Sequence, residues 1–329
     1  MGNELSALNR ISRKTITDIE DGLINLLGSS YKQYREEWVK SSTDKSYNLD
    51  FPLHLDLELN DFCNQACIMC PRNTVVHNAL PYEINTKVSV STDNLKKVIS
   101  DSVPRGLKSV NFGAFAEPLI HKGLWDFIAY CHEVGIIDTR VITNGLLLDK
   151  YVEEIFSSGL INLFVSLDGH SEETYGKIRG KGYNKIKTNL LALIDEKKIR
   201  KSSLPVIRVS WVDMEINRHE KDDFINFWID KVDHVDIQTW SDYSKKASHS
   251  DLVEPKKFEC RSPWQRLSIL ADGSILPCCD FNGRSIPIGN LSINTLPDVW
   301  DGQELLNIRS GIQNDDSPIC SACQRCLGT

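Results

Sequence analysis

No stretch of this 329-residue chain strings together the roughly 20 apolar residues that a helix needs to cross a bilayer. No basic-then-apolar segment of the secretory kind opens it either. Both absences predict a cytoplasmic protein with no membrane partner. Basic charge is also scarce, with 38 Lys and Arg against 45 Asp and Glu and a net charge of -7. Without a basic surface the phosphates of a nucleic acid have nothing to collect on, so a nucleic-acid partner is not expected. What is present is ordinary for a globular enzyme: 41% apolar and 25% charged residues, in a chain long enough to bury a sizeable core. The ten cysteines fall mainly into two groups. In a reducing compartment such groups read as metal ligands rather than disulfides.

Residues 1–48 carry Ile16, Ile19, Leu23, Leu26 and Leu27 at helical spacing and end in Ser41-Ser42-Thr43-Asp44. So short a segment cannot bury a core, and it reads as a helical extension of the main domain. From residue 49 to 242 a strand-loop-helix pattern repeats. Leu53, Leu55, Leu57 and Leu59 alternate with His54, Asp56 and Glu58, which marks a strand by its period of two. Further strands are expected at 107–112, 139–143, 160–167, 206–212 and 232–240. Helices are expected at 92–103, with Thr92 as N-cap, and at 123–134, 149–158, 183–200 and 218–231. Six such units imply an α/β fold with a parallel sheet, because parallel neighbours need crossover connections. Periodicity alone permits either a curled sheet or a flat doubly wound one. Ligands bind at the C-terminal strand ends in both.

At the first of those ends stands Cys63-Asn64-Gln65-Ala66-Cys67-Ile68-Met69-Cys70. Three thiolates can hold three irons of a cubane and leave the fourth open to a small molecule, as a catalytic metal site requires. A zinc site closed by a distant fourth ligand is the alternative use of the same thiols. This C-x3-C-x2-C loop after the first strand resembles that of the radical S-adenosylmethionine (SAM) enzymes. The resemblance implies a partial (β/α)6 barrel and a 4Fe-4S cluster on Cys63, Cys67 and Cys70 whose open iron takes the SAM amine and carboxylate. By the same resemblance Glu117, in Phe115-Ala116-Glu117-Pro118, receives the SAM amino group, although the family's double glycine is absent here. Asn144 in Thr143-Asn144-Gly145 approaches the cofactor, Ser166 and Arg179 hold the SAM carboxylate, and Met69 lies beside adenine. Asn144-Gly145 and Asp168-Gly169 are also ordinary turn dipeptides.

Residues 243–329 change character. Cys260 precedes a hairpin turning at Asp272-Gly273, Cys278 and Cys279 follow it, a short helix is expected at 295–300, and Cys320, Cys323 and Cys326 end the region. Cys260, Cys278, Cys320 and Cys323 resemble the ligand set of a twitch domain, the one-cluster form of the SPASM domain, which implies an auxiliary 4Fe-4S cluster. Cys326 is the alternative to Cys323. The domain is comparable in size to that of 2-deoxy-scyllo-inosamine dehydrogenase. Six cysteines are too few for the eight ligands of a two-cluster SPASM domain. A zinc knuckle is the plain alternative for this group.

The resemblance implies an external one-electron donor such as flavodoxin or ferredoxin, reductive SAM cleavage, and hydrogen-atom removal from a small-molecule substrate. With a closed auxiliary cluster as electron acceptor the outcome is oxidation, for instance of a sugar or aminocyclitol carbinol. With Cys279 or Cys326 as hydrogen donor it is epimerisation. A peptide-modifying maturase and a non-enzymatic zinc protein complete the set. On the fifth strand Arg208, Ser210 and Val212 share one face and Ile207, Val209 and Trp211 the other, and alternation does not say which faces inward. His121, Asp242 and Tyr243 lie near strand ends, within reach of a substrate hydroxyl.

Overall fold

The computed structural model describes residues 8–11, 16–44, 46–73, 88–113, 115–240, 260–280, 284 and 286–314, with side chains from Asp18 onward. Cys320, Cys323, Cys326, Asp242 and Tyr243 lie outside the described residues.

Strand β1 (Leu8–Ile11) and helices α1 (Ile16–Leu27) and α2 (Ser29–Thr43) precede the repeated units. These run β2 (His54–Leu57), α3 (Thr92–Ser102), β3 (Ser109–Phe112), α4 (Leu124–Glu133), β4 (Asp138–Thr143), α5 (Val152–Ser157) and β5 (Asn162–Ser166). They continue with α6 (Glu172–Ile178), α7 (Tyr183–Ile199), β6 (Val206–Asp213), α8 (Lys221–Trp228) and β7 (His234–Thr239). After residue 260 come β8 (Arg266–Ile269), β9 (Ser274–Leu276), β10 (Gly289–Asn290), α9 (Leu296–Trp300) and α10 (Gln303–Gln313).

The six expected strands are β2 to β7, each parallel to the next. Their spatial order follows the chain without reversal, within the sheet order β1-β7-β6-β5-β4-β3-β2-β8-β9-β10. A doubly wound sheet reverses its order at a switch point. This one does not, so right-handed crossovers put every helix on one face, as in an open barrel. The sheet is not closed, since antiparallel β1 borders β7 and β8 to β10 continue from β2.

The helix-side face carries Leu55, Leu57, Val110, Phe112, Leu163, Val165, Ile207, Val209 and Trp211, packed with Ile99, Phe127, Leu190 and Trp228 in one buried core. The opposite face is therefore the interior, and it is polar: His54, Asp56, Asn111, Asn162, Arg208, Ser210, His234 and Asp236. That settles β6, with Arg208 and Ser210 inward. Helices α1 and α2 close the N-terminal strand ends, where Leu23, Tyr31 and Tyr34 pack on Leu53, Ile161 and Val206 in a second cluster.

Local detail corrects one expectation and adds two elements. Ser91, not Thr92, flanks α3, and no side chain caps it. Helix α6 and strand β1 were not apparent from periodicity, because each is shorter than two turns or two pleats of clear pattern. The helix expected at 295–300 is present and begins in a capping box between Thr295 and Asp298.

Candidate active site

The loop after β2 is held from several sides. Ile68 N donates to Ile178 O at the end of α6, and Gln65 Nε2 donates to the Tyr175 hydroxyl at 2.6 Å. Cys70 N closes a turn onto Cys67 O. Burial pushes the Cys63 thiol up, and the Cys67 thiol to about 11, with Arg179 pulling the latter down. The charges of Cys63, Cys67 and Cys70 are felt by one another. Yet among the described residues no three Cys, His, Asp or Glu side chains converge as ligands of a single ion would.

Residues that follow β3, β4 and β5 stand around this loop. Asn144 Nδ2 lies 3.9 Å from Cys63 Sγ and 2.7 Å from Asn64 Oδ1, and Asn144 Oδ1 accepts from Leu146 N. Glu117 is 3% exposed and accepts from Thr143 Oγ1, Asn144 N and Leu119 N. Burial outweighs these donors and pushes its carboxyl up to about 7. Arg179 Nη1 lies 3.6 Å from Cys67 Sγ, while its Nε donates to Asp168 Oδ2 at 2.6 Å and its Nη2 pairs with the same oxygen. Ser166 ends β5 on the interior face, half-buried, and Met69 is half-buried in the loop. His121 is pinned instead, between Val90 O and Gly123 N.

Two features escaped sequence reading. Asp168, fully buried at φ 58°, fixes Arg179 with one oxygen and accepts from Val212 N with the other. As half of an Asp-Gly dipeptide it looked like a turn. Second, Arg72, just past Cys70, donates to Asp61 at 2.8 Å and Glu58 at 3.4 Å, and Arg284 reaches the same Glu58 with two nitrogens at 3.3 Å. All four side chains are buried. The only signal for them was the polar phase of the first strand.

The second thiol group lies beside the start of β2. Arg266 Nη1 stands 3.3 Å from Cys279 Sγ and 3.4 Å from Asp56 Oδ2. Cys260, Cys278 and Cys279 feel one another's charge, and burial raises all three, Cys279 to about 11.

Between α1–α2 and the interior face of the sheet is a cavity of about 510 Å³. Arg140, Asn162, Phe164, Arg208 and His234 line it, and so does Cys260. It occupies the N-terminal strand ends, a departure from the expected ligand position at the C-terminal ends, where the Cys63 loop stands.

Residues 57–216 match the family model of the Radical SAM superfamily, and residues 260–327 that of the SPASM iron-sulfur cluster-binding domain. GTP 3',8-cyclase of Thermodesulfovibrio yellowstonii is 30% identical over 190 residues, 57% of this chain and 54% of that protein. The chain matches only about half the length of such curated relatives. Among solved structures, Streptococcus suis SuiB bound to S-adenosylmethionine has a TM-score of 0.61 at 17% identity, covering 91% of this chain and 73% of that one. BtrN in complex with AdoMet and 2-DOIA has a TM-score of 0.51 at 17% identity, covering 84% and 92%. Likeness at that identity is one of fold. The two matched domain types bring with them a SAM-binding 4Fe-4S cluster, SAM itself and an auxiliary cluster. With these two domain models in succession and a thiol trio at the C-terminal edge of a singly wound parallel sheet, the protein belongs to the radical SAM superfamily and carries a C-terminal SPASM-type iron-sulfur domain.

Proposed function

We propose that this protein oxidises a small metabolite, such as a sugar or aminocyclitol, held inside the barrel. The observation that carries the reading is the cavity of about 510 Å³, walled by Cys260 at one end of a barrel whose other end holds Cys63, Cys67 and Cys70. Its size is within the roughly 300–1,000 Å³ usual for small-molecule sites. When bound, the cofactors supply reductive SAM cleavage, hydrogen-atom removal from the substrate and uptake of the second electron.

The chain's own residues bind, orient and shield. Cys63, Cys67 and Cys70 hold the SAM-binding cluster, and Asn144 and Arg179, each touching one of those thiols, position what binds there. Glu117, Ser166 and Met69 complete the SAM site. Cys260 and Cys278, with Cys320 and Cys323, hold the auxiliary cluster. Helices α1 and α2 cover the cavity and exclude water. An external donor of the flavodoxin or ferredoxin type, in the cytoplasm, supplies the first electron. Among the described residues no helix is long and apolar enough to cross a membrane. The domains run 1–48, 49–242 and 243–329 in this reading.

Cys279 supports oxidation over epimerisation, because its sulfur lies 3.3 Å from Arg266 Nη1 and is engaged there rather than free to give up a hydrogen atom. A second reading rests on the curated relatives: action on a purine nucleoside triphosphate, as the name GTP 3',8-cyclase states for them. Anaerobically reconstituted protein given SAM and a strong reductant should form 5'-deoxyadenosine and methionine, and Cys63→Ala should abolish both. Cys279→Ala should retain SAM cleavage. Absence of 5'-deoxyadenosine from protein with intact clusters would overturn the proposal.

A further inference from the structure

We infer that Arg140 is an oxyanion subsite in this cavity, taking a carboxylate or phosphate of the substrate. The inference rests on reading the cavity as the substrate site and names the chemistry recognised there. Five arginines line the cavity, and four already have acceptors. Arg35 pairs with Glu20 at 2.6 Å, Arg208 with Asp236 at 2.5 Å and Arg266 with Asp56 at 3.4 Å, while Arg261 donates to the carbonyls of Ser41 and Tyr47. Arg140 has none among the described residues, and its buried Nε lacks a hydrogen-bond partner. The acid on its own strand face, Asp138, is committed to Asn162 Nδ2 at 2.8 Å and the Tyr34 hydroxyl at 3.3 Å.

A half-buried guanidinium with unused donors costs folding free energy unless an acceptor arrives. Its planar fork matches a carboxylate or phosphate with two parallel bonds. Phe164, on the neighbouring strand, holds the group in place, its ring centroid 4.7 Å from Arg140 Cζ and 3.2 Å from Arg208 Cζ. Arg140 and Asn144 are on the same strand face four residues apart, about 13 Å along β4 at the usual rise. Arg140 thus lies on the strand face that carries Asn144 to the Cys63 loop.

The test uses the full-length protein with its clusters. Melting is followed in inorganic phosphate or malonate against chloride at matched ionic strength. Expected is a melting temperature that climbs with the logarithm of oxyanion concentration, an apparent affinity at least tenfold weaker in Arg140→Met, and partial retention in Arg140→Lys. Whichever anion gives the larger shift identifies the substrate group. Without any substitution, the same oxyanion should slow modification of Arg140 by a dicarbonyl reagent, read by peptide mass spectrometry. No shift over chloride, a shift undiminished in Arg140→Met, or unslowed modification of Arg140 would each overturn the inference. None of these readouts needs turnover, so failed SAM cleavage would remove the proposed reaction and leave the subsite standing.

Discussion

A single carboxylate, Asp168, holds Arg179 against Cys67 and ties the end of β5 to β6 through Val212 N. In Asp168→Asn one of those two donors loses its acceptor inside the protein. The expected cost is about 3 kcal/mol, as for a broken buried ion pair, read as a lower urea midpoint. SAM affinity measured by calorimetry should fall with it, because Arg179 is no longer held at the thiol. Glu117 sets a pH dependence. Its carboxyl is raised by burial from 4.5 to about 7, so folding favours the neutral form. The stability it contributes is present below pH 4.5 and is lost as pH rises through about 7. In cluster-free protein, urea denaturation should show that decline, and Glu117→Gln should flatten it. The variant should also be less stable at low pH by about 1–3 kcal/mol, since an amide N–H then faces the donating Asn144 N.

At the scale of elements, the ends of strands do the positioning and glycines decide whether they fit. Gly113 follows β3 at φ +96°, and a Cβ there would stand 2.2 Å from Ile142 O of β4. Neither backbone can yield without breaking the ladder, so Gly113→Ala should cost more than about 4 kcal/mol and leave little folded protein on a thermal melt. Gly176 is the contrast. It lies in α6 with nothing within 4 Å of an added Cβ. Gly176→Ala should raise stability by about 0.5–1 kcal/mol. Since α6 holds the cluster loop through Ile178 O and Tyr175, a stiffer α6 should not loosen that loop, and iron content per chain should be unchanged. A lower melting temperature for Gly176→Ala would mean the helix is held in a geometry that Ala cannot share.

Across the molecule, Glu58, Asp61, Arg72 and Arg284 bind the cluster loop, the first barrel strand and the C-terminal region into one charged group out of water. Two acids and two arginines balance, and removing one leaves charge buried. Arg284→Met should therefore destabilise the whole chain by about 3–5 kcal/mol. It should also lower iron retention at the N-terminal trio, because Arg284 shares Glu58 and Asp61 with Arg72, which lies two residues past Cys70. An unchanged urea midpoint and iron content would show that the group holds nothing together.

Cysteine spacing, strand alternation and the short helix at 295–300 were legible in the sequence because each is set by neighbours a few residues apart. From them came the six parallel strands, the thiol loop at a C-terminal strand end and the short helix after the hairpin. The inward face of the sheet was not legible. Both faces of a covered parallel sheet are buried, so alternation separates an apolar phase from a polar one without saying which of them meets the helices. Only the tertiary structure put Leu55 and Ile207 under the helices and Asp56 and Arg208 in the interior. It alone brought Arg284 to Glu58 across 226 residues, set Arg266 between Cys279 and Asp56, and left Arg140 without an acid in a cavity full of paired arginines. Local order is written in the chain, but which charges meet depends on where distant segments are brought together, and that is decided by the burial of the core.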